Sequence, residues 1–226
     1  MIHSHLWKVG FVLLFLSVLV ACGNPAPTTL SAQPCATIVP TNGLSTFRII
    51  PDKTQVSYHV SELVFGHTSL DTHIGTTHIV QGGFVLRRVG NPTITSLTMK
   101  VDLRTLATDD KGRDEEIRQR WLESNAYPIA SFTSSKKTQV LSSPYQDGQD
   151  VTFKINGDMT LHKVTRPTTF DVQGKLVNDT VTGTAKTFIH MKDFGVTAPA
   201  VVGVATVQDG MSVVVNFTAQ QSNCAL

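Results

Sequence analysis

Charge is scarce in this chain. Lys, Arg, Asp and Glu make up 16% of 226 residues, and 19 bases against 17 acids leave a formal charge of +2. The bases are scattered, so there is no basic stripe of the kind a phosphate backbone demands, and a nucleic-acid partner is excluded. Long apolar runs are scarce as well. Beyond Phe11–Val20 no segment is long or apolar enough to cross a bilayer. The local marks of common chemistries are missing too: no Gly-x-Ser-x-Gly turn, no phosphate loop, no His-Glu-x-x-His and no Cys-x-x-Cys. Scattered triads leave no such mark, so this argues weakly against catalysis. No catalytic residue, metal site or cofactor is expected.

The N-terminus carries an address. Lys8, the short apolar block Phe11–Val20 and a small residue before a cut site read as a secretory signal. Leu19-Val20-Ala21-Cys22 resembles the lipobox of bacterial lipoproteins, in which the cysteine is diacylated and becomes the new N-terminus. The resemblance implies a signal peptide over 1–21, lipidation of Cys22 and an extracytoplasmic protein held to a membrane, since two acyl chains anchor stably where one is marginal. An ordinary signal or an anchor helix is the alternative. Residues 22–45, rich in Pro, Thr, Ala and Ser, cannot bury a core and read as a disordered tether. A domain over 46–221 and a tail over 222–226 remain. Cys35 and Cys224 flank that domain, and an oxidising compartment permits a bridge between them. Two free thiols in disordered ends are the alternative.

From Phe47 onward the pattern alternates. Val56, Tyr58 and Val60 share one face; Leu97, Met99, Val101 and Leu103 share another; Val213, Val215 and Phe217 close the series. Period two recurring between Gly, Asn, Asp and Pro predicts an antiparallel sheet with one face in a core. One segment breaks the alternation. Thr108-Asp109-Asp110 caps an acidic first turn, and Ile117 and Trp121, four apart, share the face of a short amphipathic helix that ends before Asn125-Ala126-Tyr127-Pro128. An all-β chain with one or two short helices is a sandwich or a barrel. Gly82-Gly83, Gly157, Gly174 and Gly183 favour the strongly coiled sheet of a barrel.

Three blocks in order resemble the YceI-like family of extracytoplasmic proteins. They are TLATDDKGRDEEIRQRWLESNAYPIASF from Thr105 to Phe132, INGDMTLHKVTRPTTFDV from Ile155 to Val172, and Asp193-Phe194-Gly195-Val196 with Pro199 behind it. Met159 replaces a leucine of the second block, and Lys163 stands where a glycine is common. The resemblance implies an eight-stranded, lipocalin-like antiparallel barrel. It would bind a polyisoprenoid, an isoprenoid quinone or a similar lipid, and no catalytic activity is established for the family at large. A barrel of about eight strands is wide enough for one ligand or for a filling of side chains. Candidate wall residues are Tyr58, Phe84, Leu86, Met99, Val101, Phe153, Phe170, Phe188 and Phe217, with Trp121 and Phe132 closing one end. Each has a plain alternative as solid core.

Other features tempt without persuading. Asp193-Phe194-Gly195 matches the kinase metal-binding triplet, but nothing else of a kinase is present. His59, His67, His73 and His78 read as solvated side chains, since a zinc site needs three or four convergent ligands. Asp109, Arg113 and Asp114 read as capping and local ion pairing, with a ligand head group or acid–base chemistry as the sharper alternative. The expected function is carriage or sequestration of a long apolar ligand in the cell envelope. An envelope stress factor or enzyme acting on a lipidic substrate, or a solid-core interaction module, stands as the alternative. A homodimer is left open.

Overall fold

The structure, a computed structural model, describes Cys35 and residues 43–134, 137–140 and 143–226. The expected signal peptide, Cys22 and most of the tether lie outside the described residues. β1 (Leu44–Ile49) and β2 (Gln55–Val64) form one line of chain, broken at Pro51–Lys53. A proline has no N–H to give to a ladder, and the chain makes a 3-10 turn there. β3 (Leu70–Thr77) returns beside β2, and β4 (Val80–Arg87) continues beside β1. β5 (Thr93–Asp102), β6 (Ile129–Ser134) and the two-residue β7 (Thr138–Gln139) follow. Next come β8 (Val151–Leu161), β9 (Val164–Val177), β10 (Thr180–His190), the short β11 (Ala200–Val201) and the 18-residue β12 (Ala205–Ser222).

All the pairings are antiparallel, and β12 closes the ring. On one side it pairs with β10 along its length; on the other it pairs with β2 through Val215↔Val56 and with β1 through Ala219↔Ile49. Taking β1 with β2 and β3 with β4 as single positions, the circuit β1-β4-β5-β6-β8-β9-β10-β12 is an eight-stranded antiparallel barrel. This is the architecture expected from the sequence. Alternation explains why it holds. Phe47, Phe84, Ile155, Val172, Val215 and Ala219 all point inward and are buried, and the rings of Phe47 and Phe84 stack 5.2 Å apart.

Tight turns join neighbouring strands where the sequence tolerates positive φ. His162 and Lys163, at φ 50° and 63°, link β8 to β9. That is the conformation of a two-residue hairpin loop, and it accounts for the glycine expected at position 163. The Asp193-Phe194-Gly195 triplet forms a 3-10 turn closed by Gly195 at φ 73°, with Phe194 buried.

The two ends of the barrel differ. At one end lie the β4–β5 and β9–β10 turns, the start of β1 and the end of β12. There Cys35 and Cys224 are joined by a disulfide, with Cα atoms 4.9 Å apart. At the other end sits the expected helix, shorter than the pattern suggested: α1 covers Lys111–Glu116 and passes into a π-type turn over Ile117–Trp121. Asp110 caps it, its side chain accepting from the N–H groups of Gly112 and Arg113.

Candidate ligand cavity

Inward-facing side chains leave the lumen hollow. A cavity of about 360 Å³ lies towards the end that carries the disulfide, inside the range of roughly 300–1,000 Å³ usual for small-molecule sites. Two smaller ones follow it towards α1, about 90 and 80 Å³. They share walls: Met99, Phe132, Phe170 and Val215 line the first and second, while Tyr58, Leu122, Leu161 and Met211 line the second and third. The three therefore follow one another along the barrel.

Glycines keep the lumen open by letting aromatic rings lie against the wall. A Cβ on Gly75 would meet Tyr58 Cε1 at 2.2 Å, and one on Gly157 would meet Phe132 Cζ at 2.6 Å. Tyr58 and Gly75 are cross-strand partners. With a methyl there, the ring would have only the lumen to enter. Phe132 also meets Phe170 edge to face, centroids 4.9 Å apart, in the middle of the barrel.

Most of the expected wall residues come together. Phe84, Leu86, Met99, Phe132, Phe153, Phe170 and Phe217 line the large cavity. Val101 lines the second, Tyr58 the second and third, and Trp121 the third. Trp121 thus stands at one end as expected. Phe132 does not; it divides the first cavity from the second. Phe188 is a correction. It is 61% exposed on the outer face, its ring 5.5 Å from that of His190 and against Gly210. In β10 the inward positions are Val181, Ala185 and Ile189, all odd, whereas Phe188 is even. That parity was readable from the sequence.

Sequence reasoning missed other walls. Ile94 and Val181 belong to strands whose parity was not followed through. Tyr145 lies between β7 and β8, where no period exists to find it. Its hydroxyl donates to Leu176 O and accepts from Leu176 N–H at 2.9 Å, which folds the loop over the cavity.

Charged groups on the large cavity are Arg88, Asp147 and Lys175. Each is engaged: Arg88 donates to Gln221 Oε1 at 3.1 Å, Asp147 accepts from Asn178 N–H at 3.0 Å, and Lys175 lies 3.9 Å from Asp150. The third cavity has Glu62, His73 and Arg113 in its wall. His73 Nε2 and Glu62 Oε2 are 2.6 Å apart. Burial pushes the Tyr58 phenol up to about 12; Arg113 opposes the shift, while Asp114 and Asp109 add to it. Tyr58 is thus a neutral group at the junction of the second and third cavities.

The acidic cluster has structural duties. Asp109 pairs with Arg113, and the buried Asp114 accepts from both N–H and Oγ1 of Thr108 at 2.8 Å. The histidines are dispersed. His59 Nε2 lies 3.0 Å from Ser57 Oγ, His67 faces Asp71 at 3.7 Å and His78 Nδ1 lies 2.7 Å from Thr54 O. Among the described residues no three His, Cys, Asp or Glu side chains converge.

A closed antiparallel barrel around an apolar lumen is the architecture of the lipocalin-like folds. The YceI-like domain model matches residues 47–219, and the chain belongs to that family. Two solved structures share the fold. One is a polyisoprenoid binding domain from Saccharophagus degradans implicated in plant cell wall breakdown, 13% identical, with TM-score 0.60 over 78% of this chain and 98% of that one. The other is BcnA of Burkholderia cenocepacia, 17% identical, with TM-score 0.55 over 76% of this chain and 99% of that one. No curated protein sequence matches the chain.

Proposed function

We propose that this protein binds one long apolar ligand in its barrel, a polyisoprenoid, an isoprenoid quinone or a similar lipid, and carries or sequesters it in the cell envelope. The observation that carries the reading is the lumen of about 360 Å³ walled by Phe84, Phe132, Phe153, Phe170 and Phe217. A buried methylene contributes roughly 0.8 kcal/mol, so about ten carbons supply about 8 kcal/mol before ordering costs. Recognition of this kind needs shape and dryness instead of a reactive group. The structural relative named for polyisoprenoid binding supports the ligand class.

The same reading makes the protein a binder without a chemical step. Asp109, Arg113 and Asp114 are engaged in pairing and in holding the loop before α1. The lipobox-like Leu19-Val20-Ala21-Cys22 supports lipidation at Cys22 and a location on the outer side of a membrane, where a tethered binder meets a membrane-derived ligand at high effective concentration. Native mass spectrometry of the full chain after gentle extraction tests the reading. The expected result is a co-purifying apolar molecule released on denaturation. An empty protein that also fails to take up a long-chain isoprenoid probe would overturn it.

A further inference from the structure

At the α1 end, two hairpins run on past the ring as one flap. β2 and β3 make the first; β11 and the start of β12 make the second. They are stitched together by the ladder pairs Leu63↔Thr206 and Val64↔Ala205, and Phe65 N–H donates to Val204 O at 2.7 Å. The base of the flap walls the third cavity, through Val60 and His73 from one hairpin and Pro199 and Val207 from the other. The tip is bare and greasy. Phe65 is 78% exposed, Val201 51%, Val202 99% and Val204 56%. No Asp, Glu, Lys or Arg occurs from Leu63 to Leu70 or from Pro199 to Gln208.

An exposed apolar patch marks a protein or a membrane partner, and the shape of this one decides between them. A protein partner lies against one face of a hairpin. Here Val201, Val202 and Val204 are exposed in succession around Gly203, whose φ of 74° turns the chain, so apolar groups surround the turn. A fluid apolar medium covers such a wedge from every side without a matching pocket, and the headgroup–acyl boundary of a bilayer is one. Behind the tip Glu62 lies against His73 and Asp209 against His190 and Lys192, and in the β2–β3 turn His67 faces Asp71; each of these bases is matched by an acid and adds little attraction to anionic lipid.

We propose that the flap tip is a bilayer-docking surface, which seats the third cavity on the membrane so that a lipid chain passes into the barrel without crossing water. The docking stands on the tip alone; the passage of a lipid rests on the function proposed above. Docking of this kind is driven by apolar insertion and is insensitive to salt.

The test uses the full chain reconstituted with phosphatidylcholine vesicles and an environment-sensitive dye on Val202→Cys. The dye is expected to shift to the blue and to be quenched by lipids carrying a nitroxide near the headgroup, equally at low and high salt. The same dye on Val89→Cys, exposed at the opposite end, is expected to do neither. Equal behaviour at the two positions overturns the proposal. So does a blue shift without quenching accompanied by doubled mass, which assigns the tip to a second copy. A blue shift in the monomer without vesicles assigns it to another part of this chain and overturns it too. A second measurement separates docking from binding. Phe65→Ser with Val202→Ser is expected to slow transfer of a fluorescent long-chain isoprenoid alcohol from vesicles about tenfold or more. Its affinity for that probe added from solvent stays unchanged. Unaltered transfer sinks the docking; a native protein that binds no probe from solvent sinks the function instead.

Discussion

Tyr58 shows how a single side chain reports on the lumen. Its ring lies against Gly75 and its phenol is pushed up to about 12, chiefly by burial. In the unfolded chain the same phenol ionises near its ordinary value of 10.0. The raised value means that the folded state holds the proton longer, so the stability tied to this group is full below pH 10.0. It is lost as pH rises from there towards about 12. Denaturant titration in steps across that window is expected to show a falling stability in the native protein and a shallower fall in Tyr58→Phe. Equal slopes would mean that the phenol is not held neutral by its surroundings. Phe188 teaches the opposite lesson at the same scale. An aromatic ring on a strand does not declare its own face. Val181, Ala185 and Ile189 set the inward parity, and Phe188 falls out of step with them.

At the scale of elements, α1 was legible from its cap and its acids, and its extent was not. Asp110 accepts the first free N–H groups as its residue type predicts. Past Glu116 the winding loosens, with Leu122 N–H reaching Ile117 O at 3.2 Å, and Ile117 and Trp121 both line the third cavity. Sequence spacing assumes uniform winding, so it places the face and misses the change of pitch. Asp114 holds this element in place through Thr108. Asp114→Ala strands the Thr108 N–H and is expected to cost about 1–3 kcal/mol in chemical denaturation. Hydrogen exchange should quicken over residues 105–122 and remain unchanged in β8 to β10. Uniform quickening would show that α1 is not a separate unit of stability.

For the molecule as a whole, the strands were legible and their closure was not. A sandwich and a barrel alternate in the same way. What distinguishes them here is β12 meeting β1 and β2 from the far end of the sequence, and pairing at such separation leaves no local trace. The barrel came from family resemblance and from glycines, whose larger role lies in accommodating rings such as Tyr58 and Phe132. The link between Cys35 and Cys224 spans 189 residues, almost the whole domain. Cross-linking over that length has an entropic ceiling of about 5 kcal/mol. Reductant is therefore expected to lower the denaturation midpoint by an amount below that ceiling. An unchanged midpoint would show that the ends contribute nothing to holding the barrel shut.

That link also sets how far the domain can stray. It fastens Cys35 at the end away from the flap, so residues 36–43 add no reach while it is closed. Under the proposed lipidation at Cys22, the 13 residues that follow it up to Cys35 could span at most about 45 Å. The 18 residues of β12, at about 3.3 Å each and tilted as barrel strands are, give a body also about 45 Å tall. That limit is about the height of the body, so an anchor at Cys22 and a docked flap would together require the leader at full stretch, and reduction of the Cys35–Cys224 bond would raise the limit by about 27 Å.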